Sequence, residues 1–249
     1  MRFAVLILFS ACLLPGQANS PSQQSARPQV DWVSPGYYKE ITPERWRSRV
    51  EQMLRRDEQN PPKKEAVMFV GSATIAGWDL KRYFPGLETI NRGIGASLIS
   101  EATYYADRLI VPFKPSTIVF YSGDNDTAYG MPTEMIAGDF RKFVAKIHSA
   151  LPDTQMVVLP IRPSVARLAV WDAVRAANEQ LRAICAADPG LQFVDWTPLL
   201  LTPDGKPRSE LLGEDRHHLN KDGFELVSPV VAKAISAAEA RSGHGAGRS

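Results

Sequence analysis

Short apolar runs alternate with amphipathic helical patterns along most of the chain. The apolar runs predict five strands, at residues 66–71, 88–91, 117–122, 155–161 and 192–196. These runs are apolar throughout, as in strands that are covered on both faces. Strand–helix alternation of this kind indicates parallel strands joined by right-handed crossovers. The pattern therefore predicts one three-layer α/β/α domain built on a five-stranded parallel sheet.

Helical periodicity predicts the other layers. Helices are expected near residues 97–110, 134–150, 170–186 and 221–238. An earlier helix is expected to begin at Thr42, which can cap it, with Pro43 in its first turn. The domain is assigned to residues 61–238. Residues 21–60 form a linker and N-terminal helical extension, and residues 239–249 form a disordered tail.

The first twenty residues have the composition of a secretory signal peptide. Arg2 precedes an apolar stretch from residue 3 to 14, followed by a Pro-Gly break and the small residues Ala18 and Ser20. The stretch is too short to span a membrane, so the mature protein is expected to be periplasmic or secreted. Cys12 leaves a lipid anchor open as the alternative, although the apolar stretch continues past it.

Composition narrows the range of partners. The chain has 249 residues, of which 44% are apolar, and a formal charge of +2. Basic and acidic residues are mixed rather than gathered in a stripe, so nucleic acid is not an expected partner. After leader cleavage only Cys185 remains, so no internal disulfide is predicted. Its helical spacing with apolar neighbours indicates a small buried side chain.

Four loops carry the candidate chemistry. In a parallel sheet, ligands bind beyond the carboxyl ends of the strands. "GSATIAGW", "RGIGAS" and "GDNDTAYG" follow the first three predicted strands, and "EDRHHLNKDGF" precedes the last helix. Acyl transfer by a serine needs an imidazole, a carboxylate to orient it, and donors for the oxyanion. Asp215 lies three residues before His218, and the amide of Asn125 can serve as a donor.

These four segments, in this order, resemble the SGNH, or GDSL, hydrolases over residues 64–235. The resemblance implies a flavodoxin-like sandwich and hydrolysis of a carboxylic ester, acyl or acetyl, on a small molecule or a glycan. It implies that His218 is the general base and Asp215 its orienting carboxylate. It further implies an oxyanion hole made by Asn125 and the backbone N–H groups of Ala73 and Ala96, and no metal or organic cofactor.

Two positions depart from the family pattern. The family nucleophile lies two residues after the glycine and five before the tryptophan, which is Ala73 here. Ser72 lies one place early and Thr74 one place late. The oxyanion glycine, fifth after the asparagine, is Ala96. If that position requires a positive φ, alanine adds strain of roughly 1–2 kcal/mol.

Three interpretations of Ala73 stay open from sequence. Ser72 can act as a displaced nucleophile in a working hydrolase. Alternatively, the protein is a pseudoenzyme whose pocket binds an ester-bearing ligand. Finally, Ala73 can be an introduced residue in an ordinary esterase, which a serine codon in the natural gene would establish. Asp124, Asp126 and the two histidines come from separate loops without metal-ligand spacing, so no metal is predicted.

Overall fold

A computed structural model of the chain describes residues 34–241. It contains a five-stranded, all-parallel sheet with the order β2-β1-β3-β4-β5. The strands are Val67–Gly71 (β1), Thr89–Gly93 (β2), Thr117–Tyr121 (β3), Gln155–Val158 (β4) and Leu191–Phe193 (β5). The predicted leader, most of the linker and the end of the tail lie outside the described residues.

Helices cover both faces of the sheet, which confirms the predicted three-layer α/β/α fold. One face packs against α1, α4, α6 and α7, and the other against α2, α3 and α8. The helices are Arg47–Gln59 (α1), Ala73–Ala76 (α2), Leu80–Tyr83 (α3), Ile99–Leu109 (α4), Asp124–Ala128 (α5), Thr133–Ala150 (α6), Trp171–Ala186 (α7) and Lys221–Arg241 (α8). Short 3-10 turns occupy Tyr37–Glu40, Pro43–Trp46, Val111–Phe113, Val165–Val170, Thr197–Leu200 and Ser209–Leu211.

The two-sided core explains why the central strand β1 is apolar throughout, whereas the edge strand β2 contains Asn91 and Arg92. In β1, Met68 and Val70 pack into the core on the α4 side, while Val67 and Phe69 pack into the core on the α8 side. All four side chains are buried. Because successive side chains of a strand point to opposite faces, a sheet covered on both sides needs apolar residues at every position.

Both ends of the predicted helical pattern differ from expectation. Residues 43–46 form a 3-10 turn, α1 begins only at Arg47, and the Thr42 side chain makes no capping hydrogen bond. The last helix runs to Arg241 rather than ending at 238. Its final turn is held by tertiary contacts, because the buried carboxylate of Glu239 accepts from Ser116 at 3.4 Å. Among residues 34–241, none of the helices contains an apolar stretch of the length that a bilayer requires.

The strand order places the site. The chain runs from β1 to β2 on one side and then crosses back to β3 on the other, so β1 and β3 are neighbours. Ligands in such sheets bind in the crevice where the order reverses. The loops after β1 and β3 meet there, and the N–H of Ser72 donates to the Tyr121 carbonyl at 3.0 Å.

Candidate active site

The loop before α8 brings together Asp215 and His218, the two residues for which an acid–base role was predicted. Nδ1 of His218 lies 2.6 Å from Oδ2 of Asp215. The other carboxylate oxygen accepts the backbone N–H groups of His217 and His218, at 2.9 and 3.0 Å. Arg216 takes a left-handed conformation with φ 57°, which closes this turn. With its proton on Nδ1, the ring of His218 has a basic Nε2.

Hydrogen bonding favours the ionised form of the Asp215 carboxyl group. Partial burial acts to raise the pKa of Asp215, but the hydrogen bonds from the His218 ring and from two backbone N–H groups outweigh it. The pKa of Asp215 is therefore lowered. The side chains of His218 and Asp215 are 37% and 35% exposed, so the pair is open to a ligand.

The amide of Asn125 is held in a fixed orientation at the start of α5. Its Nδ2 donates to the Ser97 carbonyl at 3.0 Å, and its Oδ1 accepts from Nη2 of Arg167 at 3.0 Å. Arg167 also donates to the Asp124 carbonyl at 2.6 Å. These contacts use one N–H of the Asn125 amide, so the second is available to an oxyanion.

Two backbone donors lie beside this amide at the ends of β1 and β2. Ala96 has φ 61°, so this position does require the left-handed conformation that alanine adopts with strain. The loop after β1 and the loop after β2 lie close together here, since a Cβ added to Gly95 would be 4.0 Å from the Cβ of Ala73. In the part of the chain that the structure describes, the N–H groups of Ala73 and Ala96 donate to no protein acceptor.

We call the surface beside Ala73, Ala96 and Asn125 the cleft, and the side chain of Ser72 points away from it. Its side chain is fully buried, and its hydroxyl donates to Oδ1 of Asp124 at 2.8 Å. The half-buried methyl group of Ala73 occupies the adjoining position at the surface. Thr74 is buried too, and its hydroxyl accepts from Nε of Arg162 at 3.2 Å. Neither hydroxyl makes a hydrogen bond to His218.

A buried polar network supports the floor of the site. Asp124 accepts from the Ser72 hydroxyl through Oδ1. Its Oδ2 lies 3.6 Å from Nη1 of Arg167 and 3.7 Å from Nε2 of His217. Nδ1 of His217 lies 3.0 Å from the hydroxyl of Ser164. Burial, followed by the positive charges of Arg162 and Arg167, lowers the pKa of His217 far below its usual range. His217 is therefore a neutral, buried ring that packs edge-on against His218.

Asp126 links the loop after β3 to α4. Its Oδ1 accepts from the N–H of Ile99, the first residue of α4, at 3.2 Å. Burial raises the pKa of Asp126 to about 7, and the charges of Asp124 and Asp139 add to the effect. Among residues 34–241, no group of three or more His, Cys, Asp or Glu side chains has the geometry of a metal site.

Two site residues were not found from the sequence. Arg45 donates to the Ala96 carbonyl from 51 positions away, and Arg167 donates to Asn125 from 42 positions away. Both arginines lie in short 3-10 turns, where a charged residue is typical of a solvated surface. The sequence offers no local signal for either contact, because each depends on how distant segments pack.

Comparison with known proteins agrees with this geometry. Residues 36–226 match the model of the GDSL-like Lipase/Acylhydrolase family. None of the curated proteins compared with the chain matches it.

Three solved structures illustrate the shared fold. A GDSL-like lipase from Bacteroides thetaiotaomicron has a TM-score of 0.67 at 16% identity, over 76% of this chain and 98% of that one. The carbohydrate esterase of family 3 from Clostridium thermocellum has a TM-score of 0.58 at 15% identity, over 72% and 100%. The catalytic domain of peptidoglycan O-acetyltransferase A from Streptococcus pneumoniae has a TM-score of 0.55 at 17% identity, over 72% and 96%.

Proposed function

The chain belongs to the GDSL-like lipase/acylhydrolase family, and on that premise we propose that its cleft binds carboxylic esters without cleaving them through a serine. The ligand is an acyl or acetyl ester on a small molecule or a glycan. Two of the solved relatives are named for such chemistry, a carbohydrate esterase and a peptidoglycan O-acetyltransferase. Membership of the family supports an ester as the ligand. The residues of the cleft support binding of that ester rather than its hydrolysis.

One observation carries the proposal. The hydroxyl of Ser72 is fully buried and donates to Asp124, while the residue beside the cleft is Ala73. A nucleophile must come within about 2.6–3.2 Å of its base, and a methyl group has no proton to give. Moving Ser72 into the cleft would break its bond to Asp124 and leave a buried carboxylate oxygen without that donor.

The remaining groups suit a carbonyl oxygen. The Asn125 amide and the N–H groups of Ala73 and Ala96 offer donors at the edge where an ester carbonyl would lie. Preorganised donors of this kind stabilise a partial negative charge, whether on a bound carbonyl or on an oxyanion. His218 adds a partly exposed imidazole that packs against His217, whose ring lies 3.7 Å from Asp124, the neighbour of Asn125.

A working hydrolase with Ser72 as nucleophile is the second candidate. It is favoured by the 2.8 Å hydrogen bond from the Ser72 hydroxyl to Asp124, since a carboxylate can accept a proton. This second candidate requires the turn after β1 to rearrange so that the Ser72 hydroxyl becomes exposed in the cleft. The two candidates differ in what the substitution of Ser72 does to ester cleavage.

We expect the unchanged protein, Ser72→Ala and His218→Ala to hydrolyse p-nitrophenyl acetate at rates within about twofold of one another. None should react with a fluorophosphonate, because no activated serine is present. Ser209→Ala, at an exposed serine away from the cleft, is the matched control. A rate that falls in Ser72→Ala but not in Ser209→Ala would favour the displaced nucleophile. Circular dichroism checks that the variants fold.

Binding is measured separately on the unchanged protein. Titration with p-nitrophenyl acetate should shift the NMR signals of the Asn125 side-chain amide and the Ala96 N–H in a saturable manner. Both groups are proposed to donate to the ester carbonyl, so both should follow the same binding curve. The absence of any saturable shift, together with the absence of hydrolysis, would reject an ester-binding cleft.

We propose further that the protein is exported, on the support of the leader pattern in residues 1–20. Protein recovered from the periplasm or the medium should then have an intact mass that begins at Pro21. A mass that retains Met1 would contradict export by cleavage. A mass that begins at Cys12 with an added lipid would establish the anchored alternative.

A further inference from the structure

The segment Ser34–Trp46 lies across both loops that supply the oxyanion donors. The N–H groups of Ser34 and Gly36 donate to the carbonyls of Ala128 and Tyr129, at 2.9 and 2.7 Å, where α5 ends. At its other end the segment carries Arg45, which contacts the loop after β2. A segment outside the sheet therefore contacts the loop of Asn125 and the loop of Ala96.

The loop after β2 contains a strained turn. The N–H of Ser97 donates to the Ile94 carbonyl at 3.1 Å, which closes a four-residue turn with Gly95 and Ala96 in its centre. Ala96 has φ 61° at the third position, where turns of this kind normally need glycine. A non-glycine residue keeps such a conformation only where its surroundings hold it.

Arg45 supplies the contacts that hold this turn. Its Nη2 donates to the Ala96 carbonyl at 2.8 Å, while Nε and Nη2 donate to the two carboxylate oxygens of Glu101, at 2.7 and 2.8 Å. Glu101 is buried and also accepts the N–H of Leu98 at 2.8 Å. The planar guanidinium thus connects the turn to the start of α4.

We propose that Arg45 is a positioning residue for the oxyanion site: by binding the Ala96 carbonyl it holds Ala96 in its left-handed conformation, and so holds the turn that presents the Ala96 N–H to the ligand. This inference rests on the proposed function as far as the ligand is concerned. The Ala96 carbonyl accepts from Arg45 of the N-terminal segment, and the Ala96 N–H donates no hydrogen bond to the protein within residues 34–241. Residues 34–46 therefore support the proposed binding site from outside the sheet.

The test neutralises the Arg45–Glu101 ion pair and uses the Arg108–Glu51 ion pair as its control. Arg45→Met alone would leave the buried Glu101 without its cation and could unfold the protein. Arg45→Met is therefore combined with Glu101→Gln, which keeps an acceptor for Leu98. The control is Arg108→Met, because Arg108 pairs with Glu51 at 2.7 Å between α4 and α1 but contacts no loop of the site.

Amide hydrogen exchange gives a readout that does not depend on the ligand. In the double variant, exchange at Ser97, whose N–H closes the turn by donating to Ile94, should become at least tenfold faster, whereas Val119 in the centre of the sheet should keep its relative protection. A merely structural role would change all amides that exchange through global unfolding together. Arg108→Met should leave the exchange rate of Ser97 unchanged.

Affinity for p-nitrophenyl acetate is the second readout. The double variant should bind it about tenfold more weakly than the unchanged protein, and Arg45→Lys should not restore binding because one ammonium cannot bridge both acceptors. Unchanged exchange at Ser97 would overturn the role of Arg45, whatever the affinity. If the unchanged protein does not bind the ester, the proposed function fails while the exchange result still decides the role of Arg45.

Discussion

Ala73→Ser is expected to turn the protein into an esterase. Hydrolysis of p-nitrophenyl acetate should rise by about 10³- to 10⁶-fold over the unchanged protein, because removal of a triad nucleophile lowers the rate by about 10⁶. That factor corresponds to roughly 8 kcal/mol of activation free energy. The measurement is the steady-state release of p-nitrophenolate, together with fluorophosphonate labelling that maps to residue 73.

The expectation follows from what surrounds Ala73. Asp215 and His218 form a close pair at 2.6 Å, and the Asn125 amide is already oriented by Arg167. On the proposed function, a serine at 73 would supply the hydroxyl that this pair and this amide lack. The strained Ala96 keeps the gain below its maximum, so Ala73→Ser combined with Ala96→Gly should be faster still.

Matched variants separate a restored site from a generally reactive serine. Ala76→Ser introduces the same group three residues later, at an exposed position of the same short helix, and should show no gain. Ala73→Ser with His218→Ala should lose the gain, because the base is absent. If Ala73→Ser stays inactive even with Ala96→Gly, position 73 is not within reach of His218 and the assignment of the cleft is wrong.

The architecture was predictable because its signals are local. Residues 67–71 are apolar at every position since both faces of β1 are covered, and the same reasoning applies to β3. The spacing of Asp215 and His218 lies within one turn, so their contact follows from chain geometry alone. The left-handed conformation of Ala96 was raised from the sequence only as a condition, because the family has a glycine there, and the structure has φ 61° at this residue.

The supports of the site could not be predicted in the same way. Arg45, Arg167 and the buried ring of His217 act through partners more than forty residues distant. A single arginine in a polar segment is typical of a solvated surface, and only the packed structure shows which one has a buried partner. The burial of Ser72 likewise depends on Asp124, 52 residues away, rather than on its neighbours.

Gly71→Ala is expected to be the most damaging single substitution at the floor of the site. Gly71 ends β1 with φ 146°, and a Cβ built there would lie 1.7 Å from the Tyr121 carbonyl oxygen. No side chain can move to relieve this overlap, because the contacted atom belongs to the backbone of β3. The free energy of unfolding in urea should fall by more than about 4 kcal/mol, a loss beyond that of most single substitutions.

Substitutions at two further glycines distinguish steric overlap from backbone strain as the cause of the lost stability. Gly205 has φ 79° with no atom within 4 Å of a built Cβ, so Gly205→Ala should cost only about 1–2 kcal/mol of conformational strain. Gly138 lies inside α6 without a positive φ or a close neighbour, so Gly138→Ala should stabilise the protein by about 0.5–1 kcal/mol. If Gly71→Ala destabilises no more than Gly205→Ala, then β1 and β3 are not in the close contact that brings Ser72 to Asp124 and Ala73 to the cleft.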